Sequence, residues 1–302
     1  MEVSHTSISI EGFGYSARIM TLGARLAKLK YLGRDLIEPF NSADPRTLYW
    51  GELLAPWPNR IADGKYLIAG IGYQLPINEV DRNNALHGLI NILKWKVVEQ
   101  DDHSVCLETK LPATVSYPFN LAFKAHYSLT NKGLTLVLTV TNLSLERAPY
   151  GVSIHPYLVA DWKTQVDSWS LKLPAHQYLE IDAERFLPVG IRDCDERDFN
   201  FTNSRRIGSL LIDHAFKIDP VIKAQKITLV GPEGHGVSMS YGPESNWIQI
   251  HTADRDGGAG SRSSLAVEPM TCPPNAFNSG VDLIWLEPKG QHVSTWSIEA
   301  IL

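Results

Sequence analysis

Alternation of apolar and polar residues with a period of two runs through the whole 302-residue chain and restricts its fold more than any other feature. The clearest example is the segment 121–142, in which two alternating arms flank the turn Asn131-Lys132-Gly133. In the second arm, alternate apolar residues from Leu134 to Val140 point to one side, and threonine and valine residues point to the other. Since β-branched residues suit a half-buried pleated strand and disfavour a helix, this segment predicts a β-hairpin.

The same alternation predicts further strands, separated by Gly, Pro and polar turn residues. They lie at 95–99, 104–109, 168–173, 226–230, 237–241, 247–251 and 293–301. The sequence contains no recognisable amphipathic helix of three turns, no clean repeat and no linker rich in Gly, Ser or Pro. Many short strands at this spacing favour a sandwich or barrel over a βαβ fold. We therefore expect an all-β protein in which residues 1–302 form a single large antiparallel β-sandwich domain.

Composition and charge argue against several classes of function. The net charge of −5 argues against a nucleic-acid partner. No apolar run approaches the roughly 20 residues that span a bilayer, so no membrane partner is expected. The first residues lack the pattern of a secretory signal, and the cysteines Cys106, Cys194 and Cys272 are odd in number and far apart. Both features favour a cytoplasmic protein with reduced thiols.

Two residues stand directly before prolines in otherwise apolar surroundings. His155 lies between Ile154 and Pro156, and because proline pushes the preceding residue toward an extended conformation, we expect His155 at the end or edge of a strand. Glu268 is expected to end an apolar strand directly before a proline-rich turn, where burial can tune the pKa of its carboxyl group. The alternative for His155 is a structural core histidine with both ring nitrogens hydrogen-bonded.

Three other stretches place polar residues in irregular or apolar surroundings. The proline-rich stretch 54–65 presents an aromatic residue, Asn59 and Arg60, a mixture of planar apolar surface and rigid donors that suits carbohydrates. The alternative is a rim loop in which Arg60 makes a surface ion pair. His87 precedes a glycine, and Asp213 lies among apolar residues, where a buried carboxylate needs a partner. That partner is either a substrate hydroxyl or a backbone amide.

These stretches occur in the order found in the aldose 1-epimerase, or galactose mutarotase, family, which the chain resembles over nearly its whole length. The matching segments are 58–65, 86–88, 153–157, 212–213 and 267–269, and the run 21–25 is similar to the family's opening strands. Each short motif is weak alone, and the signal comes from five of them in order at compatible spacing. The resemblance implies a galactose mutarotase-like supersandwich with an open cleft, and no metal or organic cofactor.

The resemblance also implies roles for individual residues. Glu268 resembles the family's catalytic base, which takes the proton of the anomeric hydroxyl, and His155 resembles the general acid, which protonates the ring oxygen. The positions that orient the sugar are matched by Asn59, Arg60, His87 and Asp213. The implied function is an aldose 1-epimerase that interconverts the α and β anomers of a hexose. We expect a small sugar as its substrate and a monomer or weak homodimer as its assembly.

Sugar preference is left open by the sequence. The family often carries a tyrosine at the position of His251, so the role of this residue is open. The role of the glycine-rich surface loop 254–264 is also open. A sugar with a phosphate or sulfonate at C6 is an alternative substrate, for which Arg60, Lys65, Arg255 or Arg262 would supply positive charge.

Two other interpretations of the same residues remain open. His87, His155 and Glu268 could form a 2-His-1-carboxylate metal site, although the sequence shows no tight ligand spacing. A non-catalytic carbohydrate-binding protein that has kept the cleft is the other alternative.

Overall fold

Strands dominate the computed structural model, which describes residues 6–41, 43, 49–219, 225–254 and 261–302. In chain order the strands are β1 (Ser7–Gly12), β2 (Tyr15–Met20), β3 (Leu26–Tyr31), β4 (Arg34–Asp35), β5 (Leu53–Leu54), β6 (Arg60–Ala62), β7 (Lys65–Ile68), β8 (Ile71–Gln74), β9 (Asn84–Leu86), β10 (Lys96–Gln100), β11 (Ser104–Leu111), β12 (Leu121–Thr130), β13 (Gly133–Asn142), β14 (Ala148–Tyr150), β15 (Ser153–Ile154), β16 (Tyr157–Leu158), β17 (Ser170–Lys172), β18 (Ala175–Ile181), β19 (Pro188–Asp193), β20 (Arg205–Arg206), β21 (Asp213–Ile218), β22 (Lys226–Val230), β23 (Gly236–Tyr241), β24 (Trp247–His251), β25 (Leu265–Met270), β26 (Ile284–Leu286) and β27 (Gln291–Ile301).

Helical structure in the described residues is limited to short segments. One is the α-helix α1 (Ala276–Ser279), and the others are 3-10 turns at Val80–Arg82, Val166–Ser168 and Cys194–Arg197. None of the described helices has the length and apolar character needed to cross a membrane.

The larger of the two main sheets has nine strands in the order β10-β11-β12-β13-β27-β23-β22-β17-β20, all antiparallel. Its centre is the predicted hairpin, in which β12 pairs with β13 from Leu121 opposite Asn142 to Thr130 opposite Gly133. The alternate residues from Leu134 to Val140 are buried, as the period-two pattern predicted.

The second main sheet has eight strands in the order β19-β18-β21-β24-β25-β15-β5, with β16 also paired to β25. His155 lies in the two-residue break between β15 and β16, which confirms the expected position at a strand end. The position of Glu268 differs from the expectation. Glu268 does not end its strand, because β25 continues through Pro269 to Met270. Pro269 can stay in the strand because its carbonyl oxygen remains available, and it accepts hydrogen bonds from Ser153 and Trp296.

The two main sheets pack against each other through one apolar core. Leu136 and Leu138 of β13 belong to the same buried cluster as Ile248 and Ile250 of β24 and Val267 of β25. This packing confirms the antiparallel β-sandwich. Since side chains alternate between the faces of a strand, the polar residues next to these apolar ones must lie on the opposite face of the eight-stranded sheet.

Smaller sheets surround the sandwich. Strands β1 to β4 form a four-stranded antiparallel sheet, and three two-stranded sheets pair β6 with β9, β7 with β8, and β14 with β26. The β6–β9 pair positions the first group of candidate residues, because Arg60 begins β6 and His87 directly follows β9.

Candidate active site

Asn59 and His87 hold each other in place beside the β6–β9 pair. The His87 backbone N–H donates to the Asn59 carbonyl oxygen at 2.9 Å, and the Asn59 backbone N–H donates to Nδ1 of His87 at 3.2 Å. Both residues have left-handed backbone angles, with φ of 56° and 64°. Gly88 follows at φ 75°, where a Cβ atom would lie 2.1 Å from the carbonyl oxygen of Ala55, so only glycine fits there.

These contacts define the tautomer of the His87 imidazole, and its burial defines the charge. Because Nδ1 accepts a hydrogen bond, the ring proton sits on Nε2. Burial, with smaller contributions from His155 and Arg60, holds the pKa of His87 well below its ordinary value. His87 is therefore a neutral hydrogen-bond donor.

Arg60 forms a two-pronged ion pair with Glu79. Its Nε and Nη2 atoms each donate to a Glu79 carboxylate oxygen at 2.9 Å, and both side chains are largely buried. Burial is the largest single influence and opposes the charge on both groups. The hydrogen bonds of the ion pair and the attraction of nearby opposite charges together outweigh it, so the pKa of Arg60 is raised and that of Glu79 is lowered. Arg60 therefore does form an ion pair, as the alternative supposed, but the pair is buried and not on the surface.

His155 and Glu268 are in direct contact, with Nε2 of His155 3.2 Å from Oε1 of Glu268. Their residues are only 5% and 2% exposed. Burial, with His251 next in importance, lowers the pKa of His155 to about 3. Burial and the nearby Asp213 carboxylate raise the pKa of Glu268 well above its ordinary value, against a smaller opposing effect of Arg60.

Aromatic rings enclose the His155 imidazole and explain its desolvation. The Tyr157 ring is stacked at a centroid distance of 5.1 Å, the His87 ring meets it edge-on at 5.2 Å, and the Tyr49 ring lies 6.4 Å away. The backbone of His155 is fixed as well, because its N–H donates to Glu52 and its carbonyl accepts from Gly51.

Asp213 accepts a 2.6 Å hydrogen bond from the side-chain amide of Gln249. Its partner in the protein is therefore a side-chain amide, and not the backbone amide that was one of the two alternatives. Burial would raise the pKa of Asp213, but His251, Arg60 and the Gln249 hydrogen bond together lower it. Asp213 is thus held as a carboxylate.

Strand register places these groups on one face of the eight-stranded sheet. Gln249 lies opposite Glu268 in the β24–β25 ladder, and His251 lies opposite Asp213 in the β21–β24 ladder. Because adjacent strands are about 4.8 Å apart, this face presents an amide, an imidazole and two carboxyl groups within the width of a small ligand.

A cleft of about 540 Å³ opens next to this face. Of the predicted residues, Arg60, Asp213 and His251 line it, while His155, Glu268, His87 and Asn59 are more deeply buried. The cleft wall also contains Phe186, whose ring contacts the guanidinium groups of Arg60 and Arg82 at 5.1 and 4.1 Å.

Several residues of the site escaped the sequence-based prediction. Gln249 had a usable signal, since it is a polar residue between two isoleucines and in phase with His251 on one strand. Glu79, Arg82, Phe186 and Tyr49 belong to no motif, and only the folded chain brings them to the site.

The positive groups suggested for a charged sugar have other roles, where the structure describes them. Arg262 forms ion pairs with Asp167 and Asp254. Lys65 is exposed at the start of β7 and does not line the cleft. Arg255 and most of the loop 254–264 lie outside the described residues. Arg82 and Arg197, which the sequence did not single out, do line the cleft.

Buried polar atoms at the site have no hydrogen-bond partner within the described ranges. They include Oε2 of Glu268, Nδ1 of His155, Oε1 of Gln249 and Nδ1 of His251. An unsatisfied buried polar atom costs about 1–3 kcal/mol. A ligand with several hydroxyl groups is suited to satisfy this set.

No group of three His, Cys, Asp or Glu side chains in the described parts of the chain is arranged to hold a metal ion. The suggested set of His87, His155 and Glu268 is therefore not a ligand cluster in this structure, although the three residues lie close together.

Comparison with known proteins agrees with this fold. Residues 6–299 match the profile of the family described as aldose 1-epimerase. The chain is 39% identical over 293 residues to the uncharacterized protein YihR of Escherichia coli (strain K12), a match that covers 97% of this chain and 92% of YihR. It is 31% identical to YphB of the same organism, with 81% of each protein covered.

Solved structures show the same fold. A galactose mutarotase-like protein from Clostridium acetobutylicum superimposes with a TM-score of 0.84 at 22% identity, covering 98% of this chain and 95% of that protein. Galactose 1-epimerase from Lactobacillus acidophilus superimposes with a TM-score of 0.80 at 20% identity, with the same coverage.

The chain belongs to the aldose 1-epimerase family. It is an isomerase of the mutarotase type, built on the galactose mutarotase-like fold.

Proposed function

We propose that this protein interconverts the α and β anomers of a hexose, with Glu268 as the base at the anomeric hydroxyl and His155 as the acid at the ring oxygen. The observation that carries the proposal is the 3.2 Å contact between Nε2 of His155 and Oε1 of Glu268, whose pKa values are shifted in opposite directions. Both shifts come mainly from burial and favour the neutral form of each group, and strongly perturbed pKa values at a buried contact are typical of functional sites.

The reaction opens and recloses the sugar ring. The pair holds one proton, which the pKa shifts favour on Glu268, and this proton moves to His155 across their 3.2 Å contact before the sugar reacts. The Glu268 carboxylate then removes the proton from O1, the O1–H electron pair forms the carbonyl, the C1–O5 bond breaks, and O5 takes the proton from His155. Rotation about C1–C2 exposes the other aldehyde face, and the reverse transfers close the ring to the other anomer. Each positioned proton transfer contributes on the order of 10²–10⁴ in rate.

The geometry of the pair fits these two transfers. O1 and O5 are bonded to the same carbon, so the acid and the base must lie side by side, as His155 and Glu268 do. The same pair, with its proton moved from one partner to the other, performs the reverse step.

Four other residues are proposed to hold the sugar through hydroxyl groups away from C1. They are Asn59, Arg60, His87 and Asp213. His87 offers a neutral Nε2–H donor and Asp213 an acceptor, while the Arg60–Glu79 ion pair fixes the direction of the guanidinium group. Contacts distant from C1 leave the open-chain aldehyde free to rotate.

The pH dependence of kcat/KM follows from the proton that the pair must share. In its active form the pair holds one proton. Addition of a second proton to His155, whose pKa is about 3, defines the acid limb, and loss of the shared proton, governed by the raised pKa of Glu268, defines the alkaline limb. We expect a plateau above the acid limb and a fall as the pH rises through the raised pKa of Glu268.

Polarimetric rates, corrected for the uncatalysed reaction at each pH, provide the measurement. A rate that rises continuously through neutral into alkaline solution would contradict the shared-proton account, because it would mean that the fully deprotonated pair is the active form.

A sugar charged at C6 is a second candidate substrate, and Arg82 is the observation that favours it. Arg82 lines the cleft with a side chain 34% exposed, its Nε has no partner among the described residues, and Glu79, its ion-pair partner, is already paired with Arg60. An additional anion would therefore be stabilised at this position.

The variant Arg82→Met tests the second candidate. If the enzyme takes a 6-phosphate or 6-sulfonate sugar, we expect KM for that sugar to rise about tenfold with kcat nearly constant, since a ground-state contact is lost. Uncharged hexoses should be unaffected. Arg192→Met, at an exposed residue outside the cleft, is the matched control. Equal changes for charged and uncharged sugars would rule out a role in binding the C6 group.

The proposed reaction itself is tested by polarimetry of freshly dissolved α-D-galactose and α-D-glucose with the wild-type protein. Acceleration of either sugar supports it. The other outcome is that neither sugar is accelerated, and that NMR exchange experiments show no accelerated anomer exchange for a 6-phosphate or a 6-sulfonate sugar. A non-catalytic carbohydrate-binding protein would then be the better interpretation.

A further inference from the structure

We infer that His251 is a further substrate-contact residue, which acts beside Asp213 and determines which hexose the cleft accepts. The inference rests on the proposed interconversion of anomers and deepens it.

Strand register places His251 next to the reacting pair. Along one row of the sheet, Asp213 of β21 faces His251 of β24, and His251 faces Ala266 of β25. In the row two residues further, Gln249 faces Glu268. Since residues two apart on a strand share a face, His251 is diagonal to the proposed base and directly beside the carboxylate proposed to orient the sugar.

The surroundings of His251 leave its imidazole available to a ligand. His251 lines the cleft, and its neighbour Ala266 is too small to cover the ring. The Tyr157 ring approaches edge-on at a centroid distance of 6.4 Å. Nδ1 of His251 is buried and has no hydrogen-bond partner within the described residues.

Electrostatic coupling connects His251 with both parts of the site. It is the main group that lowers the pKa of Asp213 against the effect of burial, and it also lowers the pKa of His155. His251 is therefore close to both the proposed sugar-orienting carboxylate and the proposed acid.

Size and chemistry make this position selective. An imidazole can donate and accept a hydrogen bond close to the backbone, whereas a tyrosine carries only a hydroxyl at the end of a longer side chain. A tyrosine would fill space that His251 leaves to a substituent of the sugar. One lost hydrogen bond or one clash at such a place commonly changes discrimination by 10-fold or more.

The test measures kcat and KM for the variants His251→Tyr and His251→Gln with galactose, glucose and glucose 6-phosphate. For His251→Tyr we expect KM of the preferred sugar to rise about tenfold, kcat to stay within about threefold, and the order of the sugars by kcat/KM to change. For His251→Gln, whose amide can still donate and accept, we expect a smaller rise in KM. The matched control is His176→Tyr, at a residue outside the cleft with a side chain 52% exposed.

A second readout does not depend on turnover. In the Glu268→Gln background, sugar is added to protein with ¹³C-labelled histidine, and the His251 ring signals should shift on binding while those of His176 should not. Sugar binding without a His251 shift, or loss of kcat equally for all sugars in His251→Tyr, would overturn the inference. Absence of anomer exchange in the wild type would refute the proposed function instead, and the His251 shift would still decide whether the contact exists.

Discussion

The variant Glu268→Gln is expected to lose at least 10³-fold in kcat, which corresponds to about 4 kcal/mol of transition-state stabilisation. Glutamine has nearly the same shape as glutamate but cannot accept the proton of the anomeric hydroxyl. KM should change by less than about threefold, because the proposed sugar contacts lie on other residues. Steady-state polarimetry or NMR exchange at several sugar concentrations separates the two constants.

Stability measurements show whether Glu268→Gln is a purely catalytic change. The pKa of Glu268 is raised above its unfolded value of about 4.5, so the folded protein holds this proton more tightly. Stability from this group is therefore present at low pH and falls as pH rises above 4.5 toward the folded pKa. In thermal melts over this pH range, the stability of Glu268→Gln should not show the decline that the Glu268 carboxyl group causes in the wild type. Near-normal turnover by a correctly folded variant would exclude Glu268 as the base.

The variant His155→Gln is expected to lower kcat by about 10²–10³, because the ring oxygen must then take its proton from water. The effect should be smaller than that of Glu268→Gln, since water can replace an acid more easily than a positioned base. Glutamine can still donate a hydrogen bond to Glu268, which limits the disturbance of the pair.

Two controls accompany His155→Gln. His176→Gln changes a histidine outside the cleft and should keep full activity. The acid limb near pH 3 should also disappear in His155→Gln, because it belongs to the titration of His155. Retention of wild-type kcat would show that another group supplies the proton.

The fold was largely predictable because its determinants are local. The alternation in β13 defines which residues are buried and which strands form the hairpin, and the sequence contains both signals in one continuous segment. The end of β25 was misplaced because Pro269 was taken as a strand terminator. A proline can remain in a ladder where only its carbonyl oxygen is needed, and that depends on Ser153 and Trp296, which are distant in sequence.

The site was predictable only in part. His155, Glu268, Arg60 and Asp213 stand out against their local sequence, and the structure places them in or beside one cleft. The ion-pair and hydrogen-bond partners of these residues could not be predicted. The Arg60–Glu79 pair spans 19 residues and the Asp213–Gln249 hydrogen bond spans 36, and neither follows from a motif. No local sequence signal distinguishes Arg82 and Phe186 from similar residues elsewhere in the chain, so the cleft wall could not be predicted from the sequence.

The most direct test of the central claim compares wild type, Glu268→Gln and His155→Gln in one polarimetric experiment on freshly dissolved α-D-galactose and α-D-glucose. We expect the wild type to accelerate the change in optical rotation for at least one sugar, and both variants, folded by thermal melting, to have lost most of that acceleration. Acceleration that survives in both variants would contradict the assignment of this pair as the acid and base.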